Sequence, residues 1–254
     1  MTMRIGSNVV KNGLIFAVDA ANPKSHATGS TFWKDVIGEV QMETYTAEGA
    51  RGTTTFPVYS SDNGGCLKFI SANASGLQAS CSLAFTNDEI SMEAWFRIDD
   101  DNNVGNNPRI VELWDDLTNF ANDCYDGHAL NFESDKTIRA WTNEGPATAN
   151  TNRVYQFDSD PTTYGTLGQW YPWIVTHNGS IGYSYLNGVE IDSTVIAGGV
   201  RDTDRINIGN IGNWYSSGHM IYDMSIAVVR IYNVALTYEQ VMFNFNAHRA
   251  RFGV

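Results

Sequence analysis

Two Asn-Gly dipeptides, at 178–179 and 187–188, constrain the fold of this chain more than any other feature. They lie in the stretch QWYPWIVTHNGSIGYSYLNGVEIDST, where each dipeptide separates two runs of alternating apolar and polar residues. Asn-Gly is a strong hairpin signal, because both residues tolerate the positive φ angles that a type I′ turn requires. The stretch therefore predicts a three-stranded antiparallel meander with a type I′ turn at each dipeptide.

The same short alternating pattern recurs along the chain and predicts further strands. These strands cover residues 13–19, 66–70, 89–98, 109–114, 128–133, 137–142, 205–209 and 221–232. Within the strand at 89–98, the side chains of Ile90, Met92, Ala94 and Phe96 share one face, since strand side chains alternate between the two faces of a sheet. This face is expected to lie in the core.

One helix is predicted, at residues 237–252. Thr237 and Gln240 have the spacing of a capping box at its start. Arg249 and Arg251 near its end suit the negative pole of the helix dipole. Between them the apolar residues form one stripe, which we expect to pack on a sheet: Tyr238, Val241, Met242, Phe245 and Phe252.

Many strands and almost no helix indicate an all-β protein. Two antiparallel sheets packed face to face as a jelly-roll sandwich, with a short C-terminal helix, account for this pattern. The chain has 254 residues, 43% of them apolar, and contains no repeat, low-complexity tract or Pro-rich linker. We expect a single domain over residues 1–254, with residues 1–12 as an N-terminal arm.

Charge and composition exclude several partners and settings. The net charge of −12 and the scarcity of basic clusters argue against nucleic acid, which requires a basic face. The sequence contains no run of about 18 apolar residues, so no membrane-spanning helix is predicted. No signal peptide is expected, because the N-terminus lacks its features. The three cysteines, Cys66, Cys81 and Cys124, form no Cys-x-x-Cys pair. Free thiols in a cytosolic protein are the expectation, with a Cys66–Cys81 bridge as the alternative.

Glu89, Ser91 and Glu93 occupy alternate positions on one predicted strand. They resemble the Glu-x-Asp-x-Glu pattern of laminarinase-like β-glucanases, with Ser at the central position. Retaining glycosidases need two carboxyl groups about 5–5.5 Å apart, which long side chains could reach from this spacing. Ser91 cannot supply the central charge that helps to separate the two pKa values. We therefore expect no catalysis.

Metal and cofactor signals are weak. The five histidines have no metal-ligand spacing and are expected on the surface or in hydrogen bonds: His26, His128, His177, His219 and His248. The acidic run at 99–103 fails the EF-hand pattern, because Val104 and Ile110 replace the required Gly and Glu. No cofactor is expected to be required. Calcium remains an option at loops containing residues 19–22, 115–116 or 158–160.

Sugar binding calls for an exposed aromatic ring that stacks on a pyranose, flanked by hydrogen-bonding groups. Ordinary packing is the alternative for each such ring taken alone. The candidates lie in predicted loops or at strand ends: Trp114, Asp115, Tyr125, Trp141, Trp214 and Tyr215.

Longer segments resemble a known family. SMEAWFRID, WIVTHNGSIGYSYLNGVEI, INIGN and MSIAVVRIYNVALTYEQVMFNFNAHRARF resemble the LamG-like branch of the concanavalin A-like lectin/glucanase superfamily. The opening segments GLIFAVDAANPKS and GSTFWKDVIG, together with the C-terminal end, are similar to LamG-like proteins of tailed bacteriophages. The resemblance covers about residues 12–253 and is weakest at residues 100–165.

The resemblance implies a jelly roll of two curved sheets and a non-enzymatic structural role in a tailed-phage virion. The protein would be a capsid decoration or a head- or tail-fibre component at the virion surface, assembled in the cytoplasm of the bacterial host. Its partners would be other virion subunits, further copies of itself as a homo-oligomer, and host-surface glycans. The alternatives are a free carbohydrate-binding lectin module and a β-glucanase-like glycosidase.

Overall fold

A computed structural model describes most of the chain. The described residues are 8–45, 54–70, 75–85, 87–100, 109–114, 127–132, 138–142, 166–195, 200, 202–209 and 223–254, with the backbone alone at 141 and 142. Over these residues the strands are β1 (Leu14–Asp19), β2 (Trp33–Lys34), β3 (Gln41–Met42), β4 (Val58–Ser60), β5 (Cys66–Phe69), β6 (Gly76–Leu83), β7 (Glu89–Asp100), β8 (Arg109–Trp114), β9 (Gly127–Phe132), β10 (Ile138–Thr142), β11 (Trp170–Asn178), β12 (Ile181–Leu186), β13 (Val189–Val195), β14 (Thr203–Gly209) and β15 (Asp223–Tyr232). A 3-10 turn covers Asp62–Gly64, and helix α1 covers Tyr238–Phe252.

The strands form two principal antiparallel sheets. The larger sheet has the order β13-β12-β11-β7-β15-β5-β4, and β1 pairs with the second half of β15. The smaller sheet has the order β10-β9-β8-β14-β6, and β2 pairs with β3 in a separate ribbon. The prediction of an all-β, two-sheet antiparallel sandwich with a short C-terminal helix is confirmed. The single-domain boundaries stay a prediction.

The main core lies between the inner faces of the two sheets. From β7 it receives Ile90, Met92, Ala94 and Phe96, none of which is more than 4% exposed. These side chains meet apolar residues of the smaller sheet: Leu77, Val111, Leu113, Leu130, Phe132, Ile206 and Ile208. The predicted alternation of β7 is therefore correct.

Helix α1 covers the outer face of the larger sheet. The Trp95 ring on that face lies 4.6 Å from the Phe252 ring and 6.2 Å from the Phe245 ring, measured between ring centroids. The predicted capping box of Thr237 and Gln240 is present. The predicted apolar stripe is partly wrong, because Tyr238 is 51% exposed. Polar residues 244 and 248 are buried on the packed face instead.

The meander of β11, β12 and β13 is confirmed, but its two Asn-Gly turns differ. Asn187 and Gly188 both have positive φ, at 53° and 76°, as a type I′ turn requires. Asn178 instead belongs to β11, and its side-chain Oδ1 accepts hydrogen bonds from the amides of Ser180 and Ile181. The first connection is therefore residues 179–180, with Gly179 at positive φ and Asn178 not, and the type I′ prediction there is wrong.

The sequence pattern does not predict four of the strands, β2, β3, β4 and β6. In the described part of the chain, no helix has the length and apolar character needed to cross a membrane.

Candidate functional site

Glu89, Ser91 and Glu93 lie on the outer face of β7. The side chains of Glu89 and Ser91 form hydrogen bonds with the segment that joins β15 to α1. The Ala235 amide donates to Glu89 Oε2 at 3.2 Å. Ser91 Oγ accepts from the Leu236 amide at 2.9 Å and donates to the Val234 carbonyl at 2.8 Å. Both side chains therefore use their hydrogen bonds to hold the chain that leads into the helix.

Glu93 is fully buried beneath α1. Its Oε1 accepts from Arg230 Nη1 at 2.6 Å and from the Trp95 indole at 2.9 Å. Its Oε2 accepts from Asn244 Nδ2 of the helix at 2.9 Å. A carboxylate in this position has no contact with solvent or with a polysaccharide. Catalysis by the pair Glu89 and Glu93 would require α1 to separate from the larger sheet.

The network continues through Arg230 into the helix. Arg230 Nη2 donates to His248 Nε2 at 2.5 Å, so this ring nitrogen is an acceptor. Burial, followed by the nearby charges of Arg230 and Arg251, lowers the pKa of His248 to about 2. Asn244 Nδ2 also lies 2.9 Å from the Tyr232 hydroxyl, and burial raises the pKa of that phenol. The buried groups join the helix to the sheet.

The predicted calcium loops hold other partners where the structure describes them. Asp19 Oδ1 accepts from Arg251 Nη1 at 2.8 Å. Asp99, in the acidic run that fails the EF-hand pattern, lies in β7; it pairs with Arg97 and accepts from Ser225 Oγ, each at 2.5 Å. Among the described residues, no group of three or more His, Cys, Asp and Glu side chains is placed to hold a metal ion. The other two candidate loops, at 115–116 and 158–160, lie outside the described residues.

Cys66 and Cys81 are free thiols, as predicted. Burial raises the pKa of both thiols, and that of Cys81 reaches about 12. Both are therefore protonated and unreactive near neutral pH. Cys124 lies outside the described residues.

The histidines that the structure describes are buried rather than on the surface. His26 Nδ1 contacts the Phe32 carbonyl at 3.3 Å, and its ring stacks against Phe56 and Tyr59. Burial lowers the pKa of His177 to about 4. Burial also lowers the pKa of His26, so the imidazoles of His26, His177 and His248 are neutral in the folded protein at neutral pH.

The outer face of the smaller sheet carries polar and aromatic side chains in cross-strand register. On β14, Asn207 lies between Gln78 of β6 and Glu112 of β8. One step further, Arg205 lies opposite Trp114. Residues between these positions point into the core, so the named side chains share the outer face.

Contacts hold this row together. Glu112 accepts from Arg109 Nε at 3.2 Å and from Asn207 Nδ2 at 3.4 Å. The Arg205 guanidinium lies 5.6 Å from the centroid of the Trp114 ring, in a cation–π contact. Trp114 is half-buried, which leaves part of its ring at the surface. A partly exposed ring beside a guanidinium and a carboxylate can contact a sugar.

Of the predicted sugar-binding residues, Trp114 belongs to this face. The backbone pairs Trp141 of β10 with Ala129 of β9. The other candidates lie outside the described residues: Asp115, Tyr125, Trp214 and Tyr215. Glu112, Asn207 and Arg205 were not predicted, although alternation in RIVELW and TDRINIG carried the signal that they share a face with polar neighbours.

Comparisons with known proteins agree with this architecture. A laminin-G-type family model, described as Concanavalin A-like lectin/glucanases superfamily, matches residues 71–242. No curated protein matches the chain.

Solved structures match over most of this chain. The receptor binding domain of botulinum neurotoxin type G has a TM-score of 0.61 at 13% identity, over 92% of this chain and 51% of that one. A botulinum neurotoxin type C structure, whose cell entry depends on interaction with two ganglioside molecules, has the same TM-score of 0.61, identity of 13% and coverage of 92% and 51%. A Trypanosoma rangeli sialidase bound to the inhibitor DANA has a TM-score of 0.57 at 16% identity, over 94% and 34%. The chain therefore spans about half the length of the toxin domains and a third of the sialidase, and the likeness concerns the fold alone.

Proposed function

Since the chain belongs to the concanavalin A-like lectin/glucanase superfamily, we propose that it is a non-enzymatic, lectin-like protein that binds carbohydrate on the outer face of its smaller sheet. The observation that carries the proposal is the half-buried Trp114 ring, with Arg205 opposite it and Glu112 two residues before it on the same outer face of the sheet. The ring offers an apolar face to a pyranose, and its neighbours offer donors and acceptors to the hydroxyl groups. Ganglioside interaction by a toxin of the same fold is consistent with this use of the scaffold.

The proposed setting is the surface of a tailed-phage virion, as a capsid decoration or a head- or tail-fibre component assembled in the cytoplasm of the bacterial host. The similarity of the segments GLIFAVDAANPKS and GSTFWKDVIG to phage LamG-like proteins supports this setting. In that setting the chain would contact other virion subunits and further copies of itself. Its glycan ligand would belong to the host surface.

The absence of catalysis is part of the proposal. Glu93 is buried in an ion pair with Arg230, and a lectin needs no such carboxylate at its surface. A β-glucanase would need this side chain beside its substrate. A free lectin without a virion role would have the same binding face, so the two settings differ only in where the protein is found.

A glycan array followed by calorimetric titration of the tightest-binding glycan tests the binding face. Trp114→Ala should weaken binding about tenfold or more, which corresponds to about 1.4 kcal/mol. Tyr238→Ala, an aromatic truncation on the exposed side of α1, is the matched control and should leave affinity unchanged. Equal affinity of wild type and Trp114→Ala would refute the proposed site.

Mass spectrometry of purified phage particles tests the setting. The chain should be present in washed particles at a fixed copy number relative to the capsid subunit. A protein that binds glycans but is absent from particles would be a free lectin instead.

A further inference from the structure

The β12–β13 hairpin presents two tyrosines on the outer face of the larger sheet. Tyr183 and Tyr185 flank Ser184 on β12. The Ser184 hydroxyl accepts a hydrogen bond at 2.8 Å from the indole of Trp173, which lies in the main core. Since side chains alternate between the two faces of a strand, both tyrosines point to the opposite, outer face. Their rings stack on each other, with centroids 6.3 Å apart and an interplanar angle of 24°.

Helix α1 adds a third ring. Tyr238, its first residue, packs against Tyr185 with ring centroids 6.0 Å apart. We call Tyr183, Tyr185 and Tyr238 the tyrosine row. Tyr238 is 51% exposed and Tyr183 is half-buried, so both outer rings of the row are in contact with solvent. The face of an aromatic ring carries partial negative charge, which attracts cations.

Two exposed carboxylates lie beside the row. Glu190 lies directly opposite Tyr185 across the hairpin, and Glu239 follows Tyr238 in the first turn of α1. Within the described part of the chain, neither carboxylate forms an ion pair, and Glu239 accepts from the Thr237 hydroxyl at 2.9 Å. Burial, followed by the charge of Glu190, raises the pKa of Tyr185 to about 12, and Glu239 acts in the same direction. The surroundings of the row are therefore negative.

The Tyr185 hydroxyl is the free hydrogen-bonding group of the row. Its side chain is 5% exposed and makes no hydrogen bond to the residues that the structure describes. The oxygen itself is not fully buried, so a ligand can reach it. By contrast, the Tyr232 hydroxyl, in the same apolar cluster, contacts Asn244 Nδ2 at 2.9 Å. A ligand with N–H donors would give the Tyr185 oxygen the partner that it lacks.

A primary ammonium group matches these features. Its positive charge is attracted by the ring faces and by the two carboxylates, and its N–H groups are donors for the Tyr185 oxygen. A quaternary ammonium has the charge without the donors, and a sugar hydroxyl has a donor without the charge. We infer that the tyrosine row, with Glu190 and Glu239, binds the primary ammonium group of an aliphatic amine. This site lies on the other sheet from the proposed carbohydrate-binding face, and the inference does not depend on that function.

A nitrogen-15 NMR titration with n-butylammonium chloride tests the inference. The backbone amides of residues 183–190 and 238–240 should shift in proportion to saturation, and added salt should weaken binding. Nα-acetyl-lysine amide is titrated beside it, and the tighter binder of the two identifies the source of the ammonium group as a free amine or a lysine side chain. n-Butanol lacks the charge and tetramethylammonium lacks the N–H donors, so each should bind about threefold or more weakly than n-butylammonium.

Variants with matched controls locate the site. Tyr238→Ala should weaken binding of n-butylammonium about threefold through loss of a cation–π contact. Phe243→Ala is its control, because Phe243 is an aromatic residue of α1 with nearly the same exposure, 52%, outside the row. Glu190→Gln should weaken binding by about twofold or more. Asp192→Asn removes the same charge from the other face of β13, opposite Ser184, and should have no effect.

Tyr185→Phe isolates the contribution of the free hydroxyl. The melting temperature should not change, because the hydroxyl has no partner in the described part of the chain. The preference for n-butylammonium over tetramethylammonium should disappear. Equal binding of n-butylammonium and n-butanol, or a loss in Phe243→Ala as large as that in Tyr238→Ala, would overturn the inference. Shifts confined to residues outside the row and its two flanking carboxylates would do the same.

Discussion

At the scale of single residues, the side chain of Glu93 shows how burial decides the role of a carboxylate. It is fully buried and ion-paired with Arg230, which is itself 4% exposed. A buried ion pair contributes little net stability compared with apolar packing, but removal of one partner leaves an uncompensated charge in the interior. Asn244 and Trp95 add donors to the same carboxylate. Asn244 and His248 of α1 therefore join this buried pair to the helix.

Glu93→Gln should destabilise the fold by about 3 kcal/mol, because the Arg230 charge remains buried without its counter-ion. Urea denaturation at neutral pH measures this loss. Glu190→Gln on edge strand β13, where the side chain is exposed, is the matched control and should change stability by less than about 0.5 kcal/mol. A loss as small as that of the control would show that Glu93 is not the buried anchor of the helix.

His248 makes stability depend on pH. In the unfolded chain the imidazole binds a proton below about pH 6.5, whereas in the folded protein its pKa is about 2. The unfolded state therefore binds more protons between these values, so the stability contributed above pH 6.5 is lost as the pH falls. Between pH 7 and pH 5, the free energy of unfolding of His248→Gln should fall by about 2 kcal/mol less than that of the wild type. Urea denaturation at both pH values measures the two losses. Equal losses in the two proteins would contradict a neutral, buried imidazole.

Sequence spacing correctly places Glu89, Ser91 and Glu93 on one face of a strand, because alternation is a local property. What covers that face is not local. The bonds from Glu93 to Arg230 and Asn244 span 137 and 151 residues of sequence. Neither periodicity nor spacing within the strand contains this information, so the sequence argues against catalysis through Ser91 but does not predict the contacts that Glu93 makes with Arg230 and Asn244.

At the scale of elements, the second Asn-Gly turn is also a contact point for the helix. A Cβ atom on Gly188 would lie 2.9 Å from Phe245 Cδ1 and 3.1 Å from Met242 Sδ. Both partners belong to α1. The turn that closes the β12–β13 hairpin therefore packs directly against the helix. Gly188 is suited to this position because it adopts a positive φ and because it has no Cβ atom that would clash with Phe245.

Gly188→Ala tests this double role, with Gly168→Ala as the matched control. Gly168 has nearly the same φ, at 78° against 76°, but nothing lies within 4 Å of a Cβ atom there. The control should cost about 1 kcal/mol of backbone strain. Gly188→Ala should cost about 1–3 kcal/mol more because of the overpacking against Phe245. Chemical denaturation measures both losses, and equal values would mean that the helix does not press on the turn.

The elements that the sequence pattern predicts are those with long runs or specific turn residues. β2, β3 and β4 contain two or three residues each, too few to display a period. β6 does alternate, with Leu77, Ala79 and Leu83 buried, but its small polar residues resemble a loop. At Asn178 the side chain caps the turn, so the dipeptide alone does not determine the turn type.

At the scale of the whole molecule, the two outer faces of the sandwich differ in what covers their described residues. Helix α1 covers the outer face of the larger sheet with Trp95, Phe245 and Phe252 in contact. The outer face of the smaller sheet carries Trp114 and Arg205 with partial exposure. The sequence alone predicts Trp114 as a sugar ligand but not Arg205, because the register between β8 and β14 joins residues that are far apart in the chain.

The most direct test of binding on the smaller sheet uses the indole N–H signals of the seven tryptophans as site-specific reporters in a nitrogen-15 NMR titration with the tightest-binding glycan. The Trp114 indole and the backbone amides of β8 and β14 should shift in proportion to saturation. The Trp95 and Trp170 indoles, both buried beneath α1, should not move. Shifts at those two indoles with an unchanged Trp114 would mean that the ligand binds at the larger sheet and that the helix gives way to it.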